Sequence, residues 1–137
     1  MIFRFTMLVA VVMLVATACT LEPDKRRAKK ACGDPPATMT ATPSLPPKFP
    51  TPASVAYTEE KNAGPTTIVT GYLPGEIGSA FDAFTQSLST NGYAVTKTDH
   101  ESVEAEVNYE GGKTTGQVKL LQECKDRTKV TITVRPA

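Results

Sequence analysis

The sequence predicts an α+β domain: one helix packed on one face of a mostly antiparallel sheet of four or five strands, in the order β-α-β-β-β. Three observations predict it. Ile77, Phe81, Phe84 and Leu88 fall at spacings of 4, 3 and 4, the apolar stripe of a helix over about residues 76–90. Val103, Ala105, Val107 and Tyr109 alternate with Glu104, Glu106, Asn108 and Glu110, the period of a half-buried strand. The same period returns in Val130, Ile132 and Val134, set against Lys129, Thr131 and Thr133. A sheet patterned this way buries one face and wets the other.

The chain in front of that domain divides into two parts. Residues 1–18 have the layout of a secretory signal peptide: Arg4 near the start, a run from Phe5 to Val15 broken only by Thr6, and the small residues Ala16-Thr17-Ala18 before Cys19. The ending Ala16-Thr17-Ala18-Cys19 resembles the lipobox of bacterial lipoproteins, with Ala16 where that family usually has Leu. The resemblance implies cleavage before Cys19 and a diacylglyceryl anchor on its sulfur. Two other readings stay open. Ala16-Thr17-Ala18 is also an A-x-A site at which a plain secreted protein is cut. An uncleaved membrane helix is the third, although the apolar run is about 14 residues and spanning takes about 20. The basic residues after the run favour it, since positive charge prefers the cytoplasmic side.

Residues 19–65 read as a basic and Pro/Thr-rich linker. Lys25, Arg26, Arg27, Lys29 and Lys30 form a cluster offset by Glu22 and Asp24. Beside a membrane each such residue contributes about 1 kcal/mol toward anionic headgroups; away from one, the cluster is a solvated tether. Seven of the 11 prolines lie between Pro35 and Pro52, which argues for extended polyproline-like backbone. A short strand at Ala53–Thr58 is the one element expected there.

Residues 66–137 are the expected folded domain. Its first strand is Thr66–Tyr72, rich in β-branched residues and broken by Leu73-Pro74-Gly75. The helix ends at Asn91-Gly92, with Tyr93 folding back on Leu88. Tyr93–Lys97 is the second strand and residues 98–102 a polar connection. Gly111-Gly112 then reads as a two-residue hairpin turn. That turn places Glu110 opposite Lys113, Glu104 opposite Lys119, Ala105 opposite Val118 and Val103 opposite Leu120, matching charge with charge and apolar with apolar. Strands over about residues 115–122 and 128–135 complete the sheet, joined by a turn at Lys125-Asp126-Arg127.

Cys32 and Cys124 are an even pair in a chain with an export signal, so a disulfide is expected, with two free buried thiols as the alternative. The bridge leaves only residues 20–31 as free tether, about 40 Å at full extension. A domain of this size needs such a staple.

Gly111-Gly112, Thr115-Gly116-Gln117-Val118, Glu123-Cys124, Arg127-Thr128 and Val134-Arg135-Pro136 resemble a family of small actinobacterial lipoproteins over residues 66–137. The family has no assigned activity, so the resemblance implies location and fold and no chemistry.

The residues themselves offer little chemistry. His100 is the only histidine; its neighbours Asp99 and Glu101 are consecutive with it and point apart, whereas a metal needs ligands converging from different elements. Ser102 lacks a nucleophile elbow, and Gly75-Glu76-Ile77-Gly78 lacks the lysine and glycine spacing of a phosphate loop. Glu104, Glu106 and Glu110 share a strand face and read as surface ion-pair partners of Lys119 and Lys113 rather than as an acid/base pair. Tyr72, Tyr93 and Tyr109 read as core and rim residues. No cofactor or metal is expected. Charge is balanced, with 15 basic against 14 acidic residues, which gives no footprint for nucleic acid. The expectation is a membrane-anchored extracytoplasmic lipoprotein that is not an enzyme and binds an envelope protein or polymer. The alternatives are a small envelope hydrolase using the His100 region and a purely structural envelope component.

Overall fold

In the computed structural model, which describes residues 23–137, the chain forms two helices and six strands among the described residues. They are α1 (Pro23–Ala28), β1 (Ala56–Ala63), β2 (Thr66–Pro74), α2 (Ile77–Thr90), β3 (Ala94–His100), β4 (Glu104–Gly111), β5 (Thr114–Cys124) and β6 (Arg127–Pro136). The strands make one sheet in the order β1-β2-β6-β5-β4-β3, every neighbouring pair antiparallel. The α+β class holds, with six strands rather than the expected four or five. β1 lies inside the stretch read as linker, overlapping the short strand expected at Ala53–Thr58 but starting at Ala56 and running on to Ala63. It pairs with β2 through a turn at Gly64-Pro65. Its residues Thr58-Glu59-Glu60-Lys61-Asn62 show no apolar alternation because β1 is an exposed edge.

α2 packs across β3, β4, β5 and β6 on one face of the sheet. It buries Ile77, Ala80, Phe84 and Leu88. Phe81, expected in that stripe, is instead at the rim and stacks on His100, with ring centroids 4.7 Å apart and planes 18° apart. The helix ends as expected. Gly92 has φ 84°, and the Tyr93 N–H donates to the Leu88 carbonyl at 3.1 Å, the six-to-one bond of a Schellman cap.

The β4–β5 turn is one residue later than expected. Gly112 and Lys113 occupy it, with φ of 56° and 62°, the double positive φ of a type I′ turn. Moving a turn by one residue moves the register by two. Glu104 therefore faces Leu121, Ala105 faces Leu120, Glu106 faces Lys119 and Glu110 faces Thr115. Because the shift is even, every side chain keeps its face and the apolar set stays inside. β3 also runs further than expected: Thr98, Asp99 and His100 pair with Val107, Glu106 and Ala105 in place of a loose connection.

The core lies between α2 and the sheet, with Phe84, Leu88, Val107, Tyr109, Val118, Leu120 and Ile132 fully buried. Helix α2 does not cover this face alone. Residues 29–55 form a strap along the domain. The Phe49 side chain enters the core, and Leu45 and Val55 pack beside it. The strap's backbone is held by Met39 N–H to the Tyr57 carbonyl at 2.9 Å and Ser44 N–H to Glu60 Oε2 at 2.7 Å. Its prolines leave few donors to satisfy, which makes a surface-hugging path inexpensive.

Candidate functional site

The two ends of the sheet are built differently, and the expected site residues divide between them. At the β4–β5 end, Phe49, Tyr93 and Tyr109 form an aromatic cluster with centroid separations of 5.4, 5.5 and 5.7 Å. Tyr109 crosses over Gly116, its partner on β5, and its hydroxyl donates to the Thr133 carbonyl on β6 at 2.9 Å. A Cβ at position 116 would collide with both that carbonyl and the Tyr109 hydroxyl, so only glycine fits beneath the ring. Burial, with a smaller contribution from Tyr93, pushes the Tyr109 phenol well above its ordinary value. These two tyrosines are packing residues, and the cluster they make with Phe49 is closed. Tyr72 lies on the opposite face, 6.0 Å from the Arg127 guanidinium.

At the β5–β6 end the organising residue is Gln122. It is buried on the core side, where its parity with Val118 and Leu120 puts it. Helix α2 begins at Glu76, whose side chain makes no cap. Gln122 Oε1 supplies the missing acceptor, taking the Ile77 N–H at 2.6 Å from 45 residues away. Its Nε2 donates to the Cys124 carbonyl at 2.6 Å. The buried Thr128 hydroxyl donates to the Gly75 carbonyl at 3.0 Å, and Gly75 N–H donates to Asp126 O at 2.8 Å. Five backbone groups find partners here: the N–H of Ile77 and Gly75 and the carbonyls of Gly75, Cys124 and Asp126. Gln122 carried no expectation from motif reading. Its one signal was a long polar residue at an inward position of an alternating strand.

Cys32 and Cys124 form the expected disulfide, with Cα atoms 5.2 Å apart. Around it the strap is fastened again. Lys125 N–H donates to the Lys30 carbonyl at 2.8 Å, and Arg127 Nη1 donates to the Gly33 and Asp34 carbonyls at 3.2 and 3.3 Å. Arg127 Nε is held by Glu123 Oε2 at 2.7 Å. Upstream of the bridge, α1 packs on β5. The basic cluster of Lys25, Arg26, Arg27, Lys29 and Lys30 is therefore carried by a helix seated on the domain and the turn after it, where an open tether was expected. Cys19 lies outside the described residues. Among those described, no helix is long and apolar enough to cross a membrane.

Between α1 and the start of α2 is a cavity of about 560 Å³, lined among the described residues by Lys25, Ala28, Lys29, Glu76, Ile77, Gly78, Ser102, Val103, Gln122 and Lys125. His100 is not in it: it sits exposed at the end of β3 against Phe81, while Ser102 faces the cavity. The carboxylates are divided as well. Lys119 bridges Glu104, with Glu106 at 3.8 Å, and Gln117 Nε2 donates to Glu106 at 3.1 Å. The hydrogen bond to Glu104 raises the Lys119 pKa above its ordinary value. The Glu104–Lys119 pair is made diagonally, since Leu121 takes the position opposite Glu104. Glu110 stands apart and exposed, and Lys113, its expected partner, is in the turn. Among the described residues no group of three His, Cys, Asp or Glu converges as a metal site.

No protein-family model, curated protein or solved structure matches the chain.

Proposed function

We propose that the chain is a lipid-anchored extracytoplasmic protein, attached to the cell membrane through Cys19, whose domain is a non-enzymatic binding or envelope-accessory module for an envelope protein or polymer. The Cys32–Cys124 bridge is the observation that carries the reading. A disulfide persists where the surroundings are oxidising, which agrees with the export pattern of residues 1–18. The bridge also bears on distance. With α1 seated on β5, four residue steps separate Cys19 from Pro23, about 14 Å at full extension. An anchor at Cys19 thus holds the β5–β6 end of the domain, with its basic cluster, close to the lipid surface. Plain secretion after the same signal is the competing location.

Membrane fractionation of the wild type against Cys19→Ala tests the anchor. The expected result is loss of the variant from the membrane fraction; equal retention of both would sink the assignment. A pull-down from envelope extract with the anchored protein tests the binding role, and repeated recovery of the protein alone would leave the hydrolase and structural-component readings in its place.

A further inference from the structure

We propose that the cavity between α1 and the N-terminal end of α2 binds the phosphodiester headgroup of an anionic phospholipid. The proposal rests on the anchored orientation above and adds a specific site to it. Among the described residues, Lys29 after α1 and Lys125 from the β5–β6 turn line the cavity against the carboxylate of Glu76, an excess of positive charge even with Lys25 of α1 left out of the count. Lys29 and Lys125 are far apart in sequence and meet because the Cys32–Cys124 bridge and the Lys125 N–H to Lys30 O bond fix one segment on the other. Of the helix-end donors, the Ile77 N–H is already taken by Gln122. A net positive lining selects an anion. Ala28, Ile77 and Val103 add apolar wall beside it, which suits the glycerol and first acyl carbons behind a lipid phosphate better than a bare ion. The volume, about 560 Å³, is that of a small-molecule site, commonly about 300–1,000 Å³. The cavity also opens at the end of the domain that the Cys19 anchor holds near the bilayer.

The test is a titration of the full chain in a non-ionic detergent, followed by the amide resonances of Gly78, Val103 and Lys125. The probes are dihexanoyl phosphatidylglycerol, dihexanoyl phosphatidylcholine and inorganic phosphate. Saturable shifts with the glycerol lipid are expected, weakened about fivefold by Lys29→Ala or Lys125→Ala and about twenty-fivefold by the pair. Lys129→Ala, which removes an exposed lysine on the other face of the sheet, should leave the affinity unchanged. Absence of saturation, equal affinity for the choline lipid, or indifference to the lysine variants overturns the proposal. Equal affinity for inorganic phosphate overturns it in favour of a free-phosphate site. The titration runs identically in a Cys19→Ala background, so failure of the cavity and failure of the anchor give separate results.

Discussion

The two ends of the sheet do the same work by opposite means. Each closes one end of the core and each holds the Pro-rich strap. The β4–β5 end does so with rings: Phe49 from the strap against Tyr93 and Tyr109. The β5–β6 end does so with a covalent bond and a buried polar network around Gln122. The polarity of the helix explains the difference. The C-terminal end of α2 caps itself through Gly92 and the Tyr93 N–H, so it leaves the surrounding space free for apolar packing. The N-terminal end has no side-chain cap of its own, and a turn with several inward carbonyls lies beside it. Apolar residues there would leave buried amides and carbonyls without partners, at about 1–3 kcal/mol each. A helix laid across a sheet thus imposes a dry end and a wet end on its own core.

Four perturbations break or sharpen the contrast. The largest effect is expected from removing the bridge. Cys32→Ala with Cys124→Ala opens a loop whose ends are 92 residues apart in sequence, and the chain-entropy view assigns its closure about 4–5 kcal/mol as an upper value. Urea midpoints of the two proteins measure it; a loss below about 1 kcal/mol would mean that the strap's other fastenings suffice. Next is Phe49→Ala at the opposite end. Removing a buried ring costs about 3–5 kcal/mol, and here the lower figure is expected because the site lies at the strap's edge of the core. The same variant should raise hydrogen exchange at Thr51 and Val55 while leaving Lys125 protected, showing that the two fastenings act separately.

Gln122→Leu comes third. It keeps the volume and removes the acceptor for Ile77, so a loss of about 1–3 kcal/mol is expected, with early fraying at the start of α2. An unchanged melting temperature would contradict the account of the wet end. The smallest effect is that of Tyr109→Phe, about 1 kcal/mol near neutral pH from the lost bond to Thr133. It has a clearer signature in base. The folded phenol titrates above its ordinary value of 10.0, so the stabilisation is complete below pH 10.0 and is lost as the pH rises further, because the unfolded phenol ionises first. Alkaline unfolding should therefore move to higher pH in the variant, relative to its own neutral stability.

Much of this architecture was legible in the sequence, and the misses have identifiable causes. Alternation located β4 and β6, hairpin pairing with β4 located β5, and the 3.6-residue period located α2, because each buries one face. The register error at Gly112-Lys113 was invisible to that pattern: an even shift preserves every inside-outside assignment, and only the sign of φ at Lys113 distinguishes the two turns. Phe81 satisfies the 4-3-4 spacing yet falls at the margin of the stripe, half-buried against the core, while Ala80 beside it is fully covered; the period fixes the face but not its edges. β1 was only partly visible: the short strand expected at Ala53–Thr58 overlaps its start, and residues 59–63 gave no signal because an exposed edge strand needs no alternation. Phe49 was hidden by its company, a single aromatic among prolines. The disulfide was readable from an even pair of cysteines behind a signal-peptide-like pattern, but the cavity was not, since it exists only after that bond brings Lys29 and Lys125 together.

The strand order has a consequence for how the sheet is assembled. β6, the sixth strand to be synthesised, sits between β2 and β5, with extensive pairing to both. Until it arrives, the growing chain has two separate ribbons, β1-β2 on one side and β3-β4-β5 on the other. Each ribbon exposes an edge of unpaired amides and carbonyls that will later be interior. Such edges are templates for mispairing, and contacts this distant in sequence close slowly. The chain therefore has reason to finish its sheet only once residues 127–136 have been made. A nascent chain that lacked residues 127–136 would have neither a joined sheet nor the Arg127 fastening of its strap.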